Sequence, residues 1–211
     1  MKRNPFQASL RTSLIMLGFV VVGTALLALT YDKTHDLISK SEEDEKLALI
    51  EQVLPPGISD NNLIHDAIEI APNELLGNKT PTTAYRARLK GKPVAAVLEA
   101  VAPDGYSGKI TLLIAILMNG EISGVRVISH NETPGLGDYI EIGKSKWIRI
   151  FDHASLSSVP DAAWQVKKDG GKFDYVTGAT VTPRAVVKAV HKALEYSEKN
   201  RALLFADKDM K

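Results

Sequence analysis

Residues 174–180 read DYVTGAT, and their types and order could hold a phosphate group. A predicted strand ends in this segment, and a predicted helix follows it, with Thr182 as the expected N-cap residue and Pro183 as the first helical residue. The first N–H groups of a helix are unpaired and carry the positive end of its dipole. A phosphate bonded to Thr180 would therefore be stabilised.

Three neighbours of Thr180 fit the same interpretation. Gly178 and Ala179 lack bulk, which would let a flat ligand lie close to the backbone, and Arg184 could add positive charge. The residues alone leave a second interpretation open, because Thr, Gly and Ala between a strand and a helix are commonly just a turn and a cap.

Two earlier segments also contain turn chemistry. Residues 132–137 read ETPGLG, and residues 105–110 read GYSGKI and lead into a predicted strand. Taken alone, Pro-Gly followed by another Gly predicts only a turn.

Together, the three segments resemble the FMN-binding domain shared by the G subunit of the Rnf complex and the C subunit of the sodium-pumping quinone reductase. The resemblance covers nearly the whole chain, and residues 92–110 and 164–174 look closest to the Rnf branch. It implies that Thr180 carries FMN through a phosphoester, transferred from FAD by a separate magnesium-dependent flavin transferase. The implied recognition positions are Asp174, Thr177, Gly178 and Ala179.

The resemblance also implies a role without a catalytic acid–base pair, because a flavin supplies its own redox chemistry. We expect a subunit that passes electrons within a complex coupling ferredoxin and NAD chemistry to ion translocation, beside iron–sulfur and multi-span subunits. Two alternatives stay open: the equivalent flavin subunit of a sodium-pumping quinone reductase, and a cofactor-free anchored scaffold.

Several residues are candidates for contact with the flavin ring. Glu132, Thr133 and Leu136 are the first candidates, since the resemblance puts their loop beside the ring. The remaining candidates have ordinary structural roles as alternatives, in the core, in a solvated hairpin or in local hydrogen bonds; they are Tyr139, Trp164, Tyr175, Lys167, Lys168 and His130.

Composition excludes several classes of function. The chain has 26 Lys and Arg against 25 Asp and Glu, which gives no electrostatic case for nucleic acid. It has no cysteine, so a thiolate-bound metal or iron–sulfur cluster must belong to a partner. The histidines show no pair at a metal-ligand spacing, and we expect no metal site.

Residues 13–31 contain no charge and are long enough to cross a lipid bilayer as a helix. A cleaved signal peptide normally has a shorter apolar region, and a buried core helix is the other alternative. Basic residues before and after the span balance, so orientation depends on the short N-terminal flank and the resemblance. Both favour a bacterial inner membrane protein whose domain lies on the periplasmic side.

This interpretation divides the chain into five parts. We expect a cytoplasmic N-terminus (1–12), a transmembrane helix (13–31), a membrane-proximal helical segment (32–80), the FMN-binding domain (81–200) and a C-terminal tail (201–211).

Apolar periodicity predicts an α+β fold with helices packed on an antiparallel sheet. Helical patterns cover residues 33–54, 63–76 and 144–151. Strands are expected at 82–89, 94–101, 110–118 and 121–129, with Asn119-Gly120 as the clearest hairpin turn. The third of these strands is apolar on both faces and should be covered on both sides. A second hairpin is expected around Gly170-Gly171.

Overall fold

The computed structural model describes residues 5–206 and divides into two compact units, Met1–Lys46 and Leu47–Lys211. Residues 1–4 of the predicted cytoplasmic N-terminus and 207–211 of the predicted tail lie outside the described residues.

The first helix, α1, runs over Pro5–Val53. Its segment Ser13–His35 is long and apolar enough to cross a membrane, with a mean hydropathy of 2.3. The predicted span lies inside this segment. The predicted amphipathic helix at 33–54 is its continuation, since neither Gly nor Pro interrupts the chain before Pro55.

A 5-stranded sheet forms the second unit, in the order β1-β2-β3-β4-β5 with every neighbouring pair antiparallel. The strands are β1 (Ala67–Ile70), β2 (Thr82–Leu89), β3 (Lys92–Gly105), β4 (Gly108–Leu117) and β5 (Ile122–Ser129). The expected α+β class and the four predicted strands are confirmed, and β3 is longer than expected.

Local turn chemistry explains two of the hairpins. Lys90 and Gly91 join β2 to β3 with φ of 54° and 79°, the positive pair of a type I′ turn. Gly120, in the predicted Asn-Gly turn between β4 and β5, has φ 88°, which glycine adopts without steric cost.

Both faces of the sheet are covered. Strand β4 alternates between two apolar clusters: Leu112 and Ile114 lie under helix α2 (Val181–Lys199), whereas Leu113 and Ala115 lie under the end of α1. Full burial of side chains of this size contributes roughly 1.5–3 kcal/mol each. The prediction for this strand is confirmed.

The last turn of α1 is tied to β5. Arg126 Nη2 donates to the carbonyl of Gln52 at 2.9 Å, and Ser123 Oγ donates to that of Val53 at 2.7 Å, so two carbonyls at the helix end are satisfied. Further along the outer edge of β5, the Ile122 N–H donates to the Ala154 carbonyl at 2.8 Å.

Three secondary-structure predictions differ from the structure. Residues 63–76 contain turns and strand β1 rather than a helix, because β1 pairs with β2 as the sheet edge. Around Gly170-Gly171 a single parallel bridge joins Val166 to Phe173, with a 3₁₀ turn at Lys167–Asp169 in place of a hairpin. The predicted helix near 144–151 is a 3₁₀ turn, Trp147–Phe151.

The compact unit is wider than the predicted domain at 81–200. It includes β1, and a short helix α3 (Arg201–Leu204) with the residue after it adds Leu204 and Phe205 to the core. Compactness does not define which residues bind FMN, so the limits of the FMN-binding part remain a prediction.

Candidate functional site

The DYVTGAT segment forms a tight turn in front of α2. The Ala179 N–H donates to the Val176 carbonyl at 3.1 Å, and Gly178 has φ 91°, as the third position of such a turn requires. The hydroxyl of Tyr139 holds this turn, since it accepts from the Val176 N–H and donates to the Ala179 carbonyl, both at 3.4 Å. Burial raises the pKa of Tyr139 to about 12, so the phenol keeps its proton.

No strand precedes the turn, contrary to the prediction, because residues 174–176 pair with no other strand. The indole Nε1 of Trp147 instead donates to the Asp174 carbonyl at 2.8 Å and holds the start of the segment.

Helix α2 begins two residues earlier than predicted. Thr180 is the N-cap residue, and its side chain makes no capping hydrogen bond. Thr182 is not the cap, because its hydroxyl is buried and donates to Glu132, 50 residues earlier in the chain. The prediction of Thr182 as the N-cap is therefore wrong. The Thr180 hydroxyl makes no capping bond and is available to bond to a phosphate.

The start of α2 also has free donors. The Arg184 N–H makes a 3.3 Å bond to the Thr180 carbonyl, and Pro183 has no N–H. Within residues 5–206, the N–H groups of Val181 and Thr182 have no hydrogen-bond partner. These two donors and the helix dipole favour an anion beside Thr180.

The ETPGLG loop is the turn that its sequence predicts. The Leu136 N–H donates to the Thr133 carbonyl at 3.1 Å, and Gly135, after Pro134, has φ 76°. The Gly135 N–H donates to Asp138 Oδ1 at 2.8 Å, which fixes the turn against the next residues of the chain.

Glu132 joins three separate segments. Its carboxylate accepts from the Ser107 N–H at 3.0 Å and from the Thr182 hydroxyl, so the β3–β4 turn, the loop and α2 meet at this side chain. The residue is only 4% exposed. No Lys or Arg pairs with it among the side chains that the structure describes.

A cavity of about 250 Å³ lies where the turn, the loop and the start of α2 meet. Of the predicted site residues it brings together Thr180, Gly178, Ala179, Glu132, Thr133 and Leu136. Sequence reasoning did not assign four further lining residues to the site, namely Tyr106, Gly137, Val181 and Thr182. Tyr106 could have been assigned to the site from the sequence, because it belongs to the GYSGKI segment. Among the residues that the structure describes, larger depressions of about 480, 440 and 350 Å³ lie elsewhere and contain none of these residues.

Three predicted site residues do not line this cavity. The Asp174 carboxylate pairs with Lys167 Nζ at 2.6 Å, and Thr177 is exposed on the turn. Arg184 makes two 2.6 Å bonds to Asp169, and this partner lowers the pKa of the Asp169 carboxyl. Arg184 therefore has its charge neutralised locally.

The other candidates for ring contact also lie outside the cavity lining. Tyr139 and Tyr175 pack on the apolar core, and Trp164 stacks on His191 with ring centres 4.9 Å apart. His130 Nε2 lies 2.7 Å from Glu141 Oε1. Lys167 and Lys168 belong to the 3₁₀ turn at Lys167–Asp169.

One group of described side chains has the composition of a metal site. Asp161, His191 and Glu195 offer ligand atoms within 4.8 Å of one another, and His191 Nε2 is 2.9 Å from Asp161 Oδ1. The Asp161 side chain is 89% exposed, and the expectation of no metal site stays untested.

Two family models match this chain. The family model described as FMN-binding domain matches residues 105–195, which include the loop, the turn and most of α2, so the chain contains an FMN-binding domain. A second model, described as RnfG N-terminal region, matches residues 1–53, which include the membrane-length segment of α1.

Relatives named as the G subunit of an ion-translocating oxidoreductase complex match along nearly their whole length. The chain is 46% identical to that of Pseudomonas aeruginosa (strain UCBPP-PA14), covering 96% of this chain and 95% of the relative. It is 42% identical to that of Pseudoalteromonas atlantica, with 93% and 91% covered. The chain belongs to this family of G subunits. The crystal structure of Shewanella oneidensis NqrC is similar with a TM-score of 0.47 and 22% identity, over 70% of this chain and 76% of that one.

Proposed function

We propose that Thr180 carries FMN through a phosphoester, and that the chain passes electrons as the membrane-anchored flavin subunit of an ion-translocating oxidoreductase complex. The observation that carries the proposal is the position of Thr180. Its side chain makes no capping bond, it begins a helix, and it lines a cavity between the two segments that resemble the family's flavin site.

The chemistry of attachment is a phosphoryl transfer. The Thr180 oxygen forms a bond to the phosphorus of the FMN half of FAD, the pyrophosphate bond breaks, and AMP leaves while the hydroxyl proton is lost. We assign this step to a separate magnesium-dependent flavin transferase. The unpaired N–H groups of Val181 and Thr182 favour the resulting phosphodiester, because each can donate to an anionic oxygen.

The cavity size supports partial burial of the flavin. Sites that enclose a whole small ligand usually measure about 300–1,000 Å³, whereas this cavity measures about 250 Å³. Part of the bound FMN would therefore remain at the protein surface. Tyr106 and Leu136, at 70% and 52% exposed, are apolar contacts available at the rim. An exposed ring edge suits electron exchange with a partner subunit.

The anchor and the family support the proposed setting. A helix of membrane length and relatives named as subunits of an ion-translocating complex favour assembly with iron–sulfur and multi-span subunits in a bacterial inner membrane. We assign the sheet domain to the periplasmic side. The complex would pass electrons between ferredoxin and NAD.

The test uses tagged full-length chain purified from native membranes. On a denaturing gel the wild type should give a yellow fluorescent band, and Thr180→Ala should give none because the acceptor oxygen is missing. Thr80→Ala is the matched control, since Thr80 is exposed and outside the cavity. The same gel identifies copurifying subunits.

A fluorescent band of unchanged intensity in Thr180→Ala would contradict the attachment. Wild-type protein without bound flavin, from cells that contain an active flavin transferase, would favour the scaffold alternative. Copurification with a quinone-reducing assembly would favour the quinone reductase alternative.

A further inference from the structure

Glu132 is the one charged residue among the described residues that line the cavity with Thr180. Every other lining residue is apolar, glycine, threonine or tyrosine. Any flavin held on Thr180 would therefore experience one fixed side-chain charge from the cavity wall, and that charge is negative.

The surroundings of Glu132 are shaped to hold its carboxylate. A Cβ on Gly105 would lie 2.8 Å from Glu132 Oε1, and a Cβ on Gly137 would lie 2.9 Å from both its Cβ and its Oε2. Glycine at both positions leaves room for the side chain. The Ser107 N–H and the Thr182 hydroxyl then donate one hydrogen bond to each carboxylate oxygen.

This environment is unusual for a buried acid. Burying a carboxylate is costly unless it is paired or fully hydrogen-bonded, and most buried acids have a cationic partner. Glu132 has two neutral donors and no cation among the described side chains. An uncompensated charge kept at a cavity wall indicates that the charge itself has a use.

We propose that the Glu132 carboxylate lowers the midpoint potential of the flavin held on Thr180; this inference rests on the proposed function. Two-electron reduction adds two electrons and one proton to give an anionic reduced ring, or two electrons and two protons to give a neutral one. The electrons come from a redox partner in the complex and the protons from water. A nearby negative charge disfavours added negative charge on the ring, and so favours the oxidised form.

The size of the effect follows from Coulomb's law. At an effective dielectric constant of about 20, a unit charge within about 10 Å of the ring changes the equilibrium between oxidised and reduced flavin by roughly tenfold. Such a change is readily measured in a spectroscopic redox titration.

The test is a titration of flavin-loaded full-length chain with dithionite and redox mediators. Glu132→Gln keeps the shape of the side chain but removes the charge, and should raise the midpoint potential by an amount equal to about tenfold or more in that equilibrium. Glu132→Asp keeps the charge and should stay close to the wild type. Glu121→Gln is the matched control, because Glu121 is partly exposed, lies outside the cavity and follows the end of β4 opposite to Ser107, which bonds to Glu132; it should leave the potential unchanged.

The outcomes separate this inference from the proposed function. Wild-type protein without bound flavin would contradict the proposed attachment to Thr180. If Glu132→Gln binds flavin and its midpoint potential is unchanged, the proposed role of Glu132 is wrong. Equal shifts of the potential in Glu132→Gln and Glu132→Asp would also contradict it, because they would depend on the shape of the side chain and not on its charge. If Glu132→Gln does not load, Leu136→Lys at the exposed rim adds a cation and should raise the potential; no shift there also overturns the inference.

Discussion

Two carboxylates in different regions of the sheet domain, one partly buried and one buried, are held in opposite ways. Asp66, just before β1, is bonded to two cations: to Arg86, and to Arg88 with Nε 2.5 Å from Oδ2. Burial raises the pKa of Asp66, but the bonds from Arg88 and Arg86 outweigh it, and the net pKa is lowered. Glu132 accepts only from a backbone N–H and a threonine hydroxyl.

The difference separates structural from functional use of charge. Arg88 is 1% exposed and also donates to the Ala206 carbonyl at 2.7 Å, so Asp66 neutralises a cation that joins β2 to the segment after α3. Glu132 lies on a cavity wall and neutralises nothing. We therefore expect Asp66 to matter mainly for stability and Glu132 mainly for the properties of a bound group.

The largest stability effect is expected for Asp66→Asn. The substitution leaves the Arg88 charge buried without an anionic partner, which should cost about 3 kcal/mol of unfolding free energy. Denaturant unfolding of the full-length chain in detergent, followed by tryptophan fluorescence, measures the loss. Asp104→Asn is the control: its pair with Lys188 has both side chains 58% exposed, and the expected loss is within about 1 kcal/mol. Equal losses of unfolding free energy in Asp66→Asn and Asp104→Asn would show that Asp66 stabilises the fold no more than an exposed ion pair does.

The same variant has a defined pH dependence. The folded pKa of Asp66 lies below its ordinary value of 3.8, so its stabilisation is complete well above that value and is lost as the pH falls through the lowered folded pKa. The stability difference between wild type and Asp66→Asn should therefore narrow on acidification below about pH 4. A constant difference would show that the ion pairs are not its source.

An intermediate effect is expected for Gly137→Ala. The new Cβ would lie 2.9 Å from Glu132 Cβ and from the Thr182 oxygen, and crowding of this kind in a packed site costs about 1–3 kcal/mol. Gly143→Ala is the matched control, because no atom lies within 4 Å of its new Cβ. Thermal unfolding of both variants measures the difference, and equal melting temperatures would indicate that Glu132 is loosely held.

The smallest stability effect is expected for Glu132→Gln without flavin. The amide can still accept from Ser107 and can donate to the Thr182 oxygen, so the loss should be about 1 kcal/mol or less. Denaturant unfolding of the unloaded chain provides the value. A loss as large as that of Asp66→Asn would show that Glu132 serves the fold and that the two carboxylates are alike.

Local sequence chemistry was sufficient for four of the five strands and for two of the turns. Asn119-Gly120 and Pro134-Gly135 have positive φ at the glycine, which neighbouring residues alone specify. The apolar run of β4 likewise predicted burial on both faces, because no polar residue interrupts residues 112–117.

Contacts between distant segments explain the failures. Thr182 has the sequence context of an N-cap, but its hydroxyl bonds to Glu132, which no local pattern reveals. Residues 63–76 have helical spacing, yet pairing with β2 makes a strand. Arg184 was expected one residue inside the last helix and lies in the first turn of α2. Its charge is neutralised by Asp169, which the bridge of Val166 to Phe173 holds nearby.

The residues around the start of α2 were recognisable as a group only through the resemblance. Physical reasoning on residues 174–180 left both a turn and a phosphate site open. The structure adds the free N–H groups and the cavity that the segment shares with Glu132. Neither is encoded in the segment itself.

The ties between the end of α1 and β5 have a consequence for assembly. An open sheet edge invites another chain to add a strand. On β5, Ile122 is bonded to Ala154, the Ser123 side chain to Val53, and the Val125 carbonyl accepts from the guanidinium of Arg126 at 2.8 Å. At the opposite edge β1 is only 4 residues long. Neighbouring subunits should thus dock through side-chain surfaces rather than by extending the sheet, which protects the domain from pairing with copies of itself before it is assembled.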